Sequence, residues 1–302
     1  MSIRVGLPQG LMIFQHGKVL ERFFSELGAE VVLSGETTRQ TLDCGGTLDE
    51  MCLPSKVFFG HVCQLKDKVD YLFMPRLVSV CQGQYTCPKI MGMPDIVKNN
   101  AGKLPPMIDI DVDMRRQSRQ VYQAIIAVGR LFGRNMLGSL YAWYKACQLS
   151  NRPQPPEWVY DGRPRIAVIG HPYIIYDRQV SLDILQKLDQ LGLQVVTSQM
   201  VPQDEVDRAA AGFSKKIYWS SSHNVSGGAI ALMHGNRPLS GVIFVTCFAC
   251  GPDALTGELI SRQAQRLDIP CMQLSLDEHT AEAGLITRLE AFTDMVKRRH
   301  SI

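Results

Sequence analysis

The segment Arg165-Ile166-Ala167-Val168-Ile169-Gly170, followed through residues 182–188 to Leu191-Gly192-Leu193-Gln194-Val195-Val196-Thr197-Ser198, decides the fold. An apolar run ends at glycine, a helical pattern follows, and a second glycine closes it before another apolar run. That order spells a β-α-β unit. It occurs a second time nearer the N-terminus. Arg4-Val5-Gly6-Leu7-Pro8 leads through a helical pattern to Leu27-Gly28-Ala29-Glu30-Val31-Val32-Leu33-Ser34. Each half then carries a later apolar strand, at residues 69–74 and in Gly241-Val242-Ile243-Phe244-Val245. A near-continuous apolar run of that length reads as a parallel strand buried on both faces. After each of these strands comes a loop with two cysteines. The weak internal repeat predicts an α/β protein of two open Rossmann- or flavodoxin-like lobes with mostly parallel sheets.

A helical stretch with few breakers, residues 114–149, separates the halves. Asn151-Arg152-Pro153-Gln154-Pro155-Pro156-Glu157-Trp158 follows it and reads as a semi-rigid linker. The expected organisation is an N-terminal lobe at 1–113, a helical connector and linker at 114–160, and a C-terminal lobe at 161–302. Residues 283–299 read as a closing helix with basic residues near its end.

The chain has 302 residues, 45% hydrophobic and 20% charged, an ordinary globular composition. A net charge of +3 is too near neutral to argue for nucleic acid. No apolar run is long enough to span a bilayer, and Met1-Ser2-Ile3-Arg4-Val5-Gly6 runs directly into a strand pattern rather than a signal peptide. The cytoplasm is the expected location. Nine cysteines then argue against a disulfide framework. Cys63, Cys147 and Cys271 sit in apolar contexts and read as small core residues.

Open α/β sheets bind ligands beyond the carboxyl ends of their strands. In the second lobe those ends carry His171, Cys247 and Cys250, and then Asp277, Glu278 and His279. In the first they carry Gln9, Arg76, Cys81 and Cys87, with Cys52 at a helix start nearby. Cys52, Cys87 and Cys250 are each followed by proline within two residues. A thiolate at a helix start gains from the unpaired N–H groups there. Three distant cysteines suit a cubane cluster with one iron left without a protein ligand. Two other readings stay open at this point: core cysteines, and a redox dithiol at Cys247/Cys250. Structural zinc would show closer ligand pairs. His61 lies on an apolar helix pattern and reads as structural, whereas His171 and His279 end strands and are candidates for proton transfer. Asp277 and Glu278 fit helix capping, as does Ser220-Ser221-Ser222-His223. No phosphate-binding glycine motif follows a strand, and Asp43-Cys44-Gly45-Gly46-Thr47 does not follow an apolar strand either.

Several motifs together resemble a known family. They include Cys52-Leu53-Pro54-Ser55-Lys56 with Gly60-His61-Val62, and Pro75-Arg76-Leu77-Val78-Ser79 with Tyr85-Thr86-Cys87-Pro88-Lys89 and Gly92-Met93-Pro94-Asp95. They continue in Gly170-His171-Pro172-Tyr173, Phe248-Ala249-Cys250-Gly251-Pro252-Asp253 and Asp277-Glu278-His279-Thr280. The chain is similar along nearly its whole length to the acyl-CoA dehydratase activase-related proteins, relatives of the 2-hydroxyglutaryl-CoA dehydratase catalytic subunits. The resemblance implies an oxygen-sensitive [4Fe-4S] cluster, or a double-cubane relative, in an interlobe cleft of an anaerobic enzyme. It implies Cys52, Cys87 and Cys250 as ligands, with Cys81 and Cys247 as further candidates. Six cysteines in three loose pairs (Cys44/Cys52, Cys81/Cys87, Cys247/Cys250) would suffice for the double cubane. In that family one low-potential electron passes to an acyl-CoA thioester, making a ketyl that expels the β-substituent. The expected activity is a dehydratase (lyase) or low-potential reductase, with His171 and His279 as proton donors. Electrons would come from a separate ATP-dependent activator or another donor, and the chain would form homo- or hetero-oligomers. The alternative is a non-catalytic partner or assembly scaffold of a dehydratase-like complex.

Overall fold

The computed structural model describes residues 2–11, 13–115, 119–148 and 161–300. The Pro-rich linker at 151–158 lies outside the described residues. The chain divides into two compact units, Met1–Arg152 and Pro153–Ile302.

The first unit opens with β1 (Arg4–Leu7), α1 (Ile13–Leu27) and β2 (Glu30–Leu33), then α2 (Arg39–Gly45) and α3 (Leu53–Leu65). It continues with β3 (Tyr71–Phe73), β4 (Arg76–Ser79), α4 (Pro88–Met91), α5 (Met93–Asn100), β5 (Met107–Ile108) and β6 (Asp111–Asp113). Its sheet has the order β2-β1-β3-β5, and every pairing is parallel. The strand expected at 69–74 is shorter than its pattern, because Pro75 has no N–H to continue a ladder. Beyond it, β4 leaves the sheet and pairs in parallel with β6 as a separate two-stranded piece.

Residues assigned by sequence to the connector form α6 (Arg119–Leu131) and α7 (Met136–Cys147). The helices break between Phe132 and Asn135, where Gly133 takes a φ of 70° and the Asn135 side chain caps α7 by accepting from Gly138 N–H. Both belong to the first unit's core. Ile125, Val128, Ala142 and Ala146 pack with Phe23, Phe24 and Phe73. Phe24 meets Phe73 edge-on at 5.1 Å between centroids, and Phe23 meets Trp143 at 5.4 Å. Burying each such ring contributes roughly 1.5–3 kcal/mol.

The second unit runs β7 (Arg165–Ile169), α8 (Pro172–Ile175), α9 (Arg178–Ser181), α10 (Ile184–Gln190), β8 (Gln194–Thr197) and α11 (Gln203–Ala210). It closes with α12 (Ser220–His234), β9 (Gly241–Cys247), α13 (Gly251–Arg266), β10 (Cys271–Leu276) and α14 (Glu282–His300). The sheet order is β10-β9-β7-β8, again all parallel. Every residue of β9 is buried, as a central strand covered on both faces requires. The chain steps from β7 to β8 on one side and returns to β9 on the other. The carboxyl ends of β7 and β9 therefore flank the switch point, where such sheets open a crevice.

Candidate functional site

In the second unit the switch point brings together residues far apart in sequence. β7 is followed by Gly170, where an added Cβ would lie 2.5 Å from the Val245 carbonyl oxygen. Glycine thus lets the chain leave β7 in close contact with β9. His171 follows as the N-cap of α8, with Pro172 inside the first turn. From β9, Cys250 becomes the N-cap of α13, again with proline in the first turn. Asp253 is buried in the first turn of the same helix.

Ligand-capable atoms of His171, Cys250 and Asp253 lie within 4.8 Å of one another. His171 Nε2 donates to Asp253 Oδ1 at 2.8 Å, and Thr246 Oγ1 donates to Asp253 Oδ2 at 3.1 Å. Both members of the His–Asp pair are buried, and His171 Nδ1 is buried with no hydrogen-bond partner. The Tyr173 ring stacks on the imidazole at 5.0 Å. Burial alone would push His171 down, but the Asp253 charge and hydrogen bond, with the Cys250 thiol beside them, hold it well above the usual histidine range. Burial would raise Asp253, and the same His171 contact keeps it below the usual carboxylate range. A hydrogen bond with Cys247 holds the Cys250 thiol down at about 7, against burial and with help from His171. Cys250 is thus a half-buried thiol biased toward thiolate, beside an imidazolium fixed by a carboxylate. Such a set suits metal ligation at sulfur, with the histidine as hydrogen-bond or proton donor.

The first unit holds Cys52, Cys81 and Cys87. Cys52 is buried at the N-cap of α3, its Sγ 3.3 Å from Ser55 Oγ, with Pro54 in the first turn. Cys87 is half-buried at the N-cap of α4, followed by Pro88. Lys89 Nζ donates to the Glu50 carbonyl at 3.1 Å, which ties the segment after Cys87 to the segment before Cys52. Cys81 Sγ donates to Gln84 Oε1 at 3.0 Å. Arg76 and Asp95, both in the family-like motifs, form a bidentate ion pair at 2.7 and 2.9 Å that joins β4 to α5.

His279 is exposed in the turn after β10. Its N–H donates to Asp277 Oδ1, which also accepts from Thr280 Oγ1, so Asp277 organises that turn. Among the described residues, the cluster at the switch point contains His171 and Cys250 but neither His279 nor Asp277. Sequence reasoning missed Asp253 and Thr246. An acid in the first turn of a helix reads as a dipole partner, and its true partner lies 82 residues away.

Residues 4–201 match the family model described as CoA enzyme activase uncharacterised domain. The match takes in Cys52, Cys81, Cys87 and His171 and stops short of Cys247 and Cys250. A 72-residue segment is 32% identical to the uncharacterized protein MJ0800 of Methanocaldococcus jannaschii. It spans 24% of this chain and 17% of that relative. No helix among the described residues is long and apolar enough to cross a membrane.

Proposed function

We propose that this chain, which belongs to the family of the CoA enzyme activase uncharacterised domain, is an iron–sulfur protein that moves low-potential electrons for radical dehydration or reduction of a thioester-type substrate. The reading makes it a 2-hydroxyacyl-CoA dehydratase-like protein, and the family description supports only the coarser relation to CoA enzymes and their activation. One observation carries the cluster: Cys52, Cys87 and Cys250 each occupy a helix N-cap with proline in the first turn. The donor set fits the group, because thiolates are its preferred ligands and Cys250 is already held down at about 7. A [4Fe-4S] cluster on three thiolates supplies one-electron reducing power and keeps one iron without a cysteine.

The chain's own residues have separate tasks in this reading. Cys52, Cys87 and Cys250 would hold the cluster, with Cys81 and Cys247 as residues that would tune or extend the set. Asp253 fixes the His171 ring, Thr246 fixes Asp253, and the buried Nδ1 is left as the ring nitrogen from which His171 would deliver a proton. His279 is a second proton donor at the exposed rim. Electrons would come from an ATP-dependent activator or another low-potential donor.

Iron and acid-labile sulfide, measured on protein purified without oxygen, test the reading. About four of each per chain, with an EPR signal on strong reduction, are expected for a single cubane. About eight would indicate the double cubane. Iron that does not bind even after reconstitution would sink the cluster and everything built on it. A second reading is favoured by the family's description as an activase: the chain is a non-catalytic partner in a complex around a CoA enzyme. Stable co-purification with such an enzyme, without turnover of any thioester by this chain, would select it.

A further inference from the structure

Helix α7 is apolar on two opposite sides, and the core of the first unit covers one of them. Its sequence, Met136-Leu137-Gly138-Ser139-Leu140-Tyr141-Ala142-Trp143-Tyr144-Lys145-Ala146-Cys147, carries one charge in 12 residues. Ser139, Ala142 and Ala146 form the buried side. Leu137, Tyr141 and Tyr144 recur four and three residues apart, so they line one stripe on the opposite side. They are 71%, 57% and 62% exposed. Leu131 and Met136, on either side of the turn that joins α6 to α7, are exposed as well. The neighbouring helix shows the ordinary pattern, since α6 turns Arg119, Gln120, Gln123 and Arg130 to the solvent. A helix that is hydrophobic all round is ordinarily buried all round, and α7 has such a sequence with half of the cover.

We propose that the outer stripe of α7 docks a second copy of this chain, with the two helices packed antiparallel about a two-fold axis near Tyr141. That axis sets Leu137 of each copy against Tyr144 of the other, and Tyr141 against its own counterpart. Area and charge select this occupant. The five exposed side chains present roughly 600 Å², taking about 200 Å² for a whole large side chain. That is the top of the range for the largest apolar patch on a monomer, about 300–600 Å². A stable interface takes about 800 Å² from each partner, so the stripe supplies its apolar centre and a polar rim the remainder. The single charge of α7 is already engaged: Lys145 Nζ pairs with Glu26 at 3.6 Å and lies 5.0 Å from the Tyr141 ring centroid. The stripe therefore meets its own copy without repulsion, as a self-complementary two-fold contact requires, and offers no charge that would select a charged partner. A lipid surface fits less well, because a helix lying on one turns a strongly charged face to the water, whereas the other side of α7 is core. The inference does not depend on the cluster and can hold where the cluster fails.

The test measures the mass of the full chain by light scattering over a dilution series, iron-free and with a thiol reductant so that no disulfide links the copies. The mass of two chains is expected. Tyr141→Glu places like charges face to face at the axis, and within one copy it gains Lys145 as an i,i+4 partner, so it should give a folded single chain. Gln123→Glu, on the polar side of α6, should leave the pair intact. Tyr141→Lys should also be a single chain, and mixing it with Tyr141→Glu should restore the mass of two, because only a two-fold contact sets position 141 against itself. Circular dichroism and melting curves report whether the variants fold. Tyr141→Ala adds no charge and should weaken the association about tenfold or more, which keeps the test decisive if the charged variants unfold. A wild-type chain that stays single at every concentration would overturn the proposal and give the stripe to a different protein. A Tyr141→Glu variant that stays paired would overturn it too, by placing the contact on another face.

Discussion

His61 turns burial into a pH dependence. Its ring is fully buried in α3, with Nε2 3.0 Å from Thr37 Oγ1 and Nδ1 unpartnered. Burial pushes it from the ordinary 6.5 down to about 4. As pH falls, the unfolded chain takes up the proton first, near 6.5, while the folded chain resists until about 4. The stability is therefore complete above pH 6.5 and is lost progressively toward pH 4. The shift corresponds to about 3 kcal/mol. Urea unfolding across that window should show this acid loss, and His61→Gln should flatten it even if it lowers stability at neutral pH. An unchanged acid slope in the variant would assign the loss to other groups. The His171–Asp253 pair makes the opposite case, a buried charge retained because it is paired. Asp253→Ala leaves His171 buried without its carboxylate and should cost about 3–5 kcal/mol. Asp253→Asn keeps a hydrogen-bond acceptor and should cost less. Denaturant midpoints should rank wild type above Asn above Ala, and equal losses for the two variants would mean that the bond contributes little beside the charge.

At the level of elements, the contact of α2 with α3 sets the sign of an otherwise stabilising change. Alanine in a helix interior is favoured over glycine by about 1 kcal/mol. At Gly60 the added methyl would meet the Thr41 carbonyl oxygen at 2.0 Å and its carbon at 2.8 Å, both backbone atoms that cannot rotate away. Overpacking of this kind costs about 1–3 kcal/mol or more, so Gly60→Ala should lower the denaturant midpoint. A neutral or higher midpoint would show that the helices separate readily. The central strands, by contrast, could be read from the sequence because their patterns are local. The continuous apolar run at 241–245 became β9, buried throughout and extended to Cys247. The glycine-ended β-α-β patterns became β1-α1-β2 and the path from β7 to β8. The β4–β6 pairing was not legible, since three- and four-residue strands carry too few alternations to stand out. The site was legible in part for the same reason. Cys250 and His171 follow strands and could be placed by that alone. Their neighbourhood depends on β9 lying beside β7 rather than beside β8, an order that no single segment encodes. Asp253 needed that order to be seen, since it meets His171 only across the switch point.

For the whole molecule, the proposed cluster predicts that Cys87 and Cys250 act together. The family match ends at residue 201 and so includes Cys52 and Cys87 but not Cys250. A cluster that binds only the native chain adds stability by mass action, about 4 kcal/mol when its free components stand at a thousand times the dissociation constant. Removal of iron with a chelator under anaerobic conditions should therefore lower the melting temperature of the loaded chain, and reconstitution should restore it. Cys87→Ala in the first unit and Cys250→Ala in the second should each abolish most of that iron-dependent increment. If both thiols hold the same cluster, the first substitution leaves nothing for the second to remove, and the double variant should lose no more than either single one. Ligands of independent groups would instead lose their increments additively, as distant sites do. The iron-free chains supply the reference: both thiols are only half-buried, so the truncations themselves should cost little there. Additive losses of the iron-dependent increment, measured against that reference, would separate Cys250 from Cys52 and Cys87 and leave the His171–Asp253–Cys250 cluster as a site of its own.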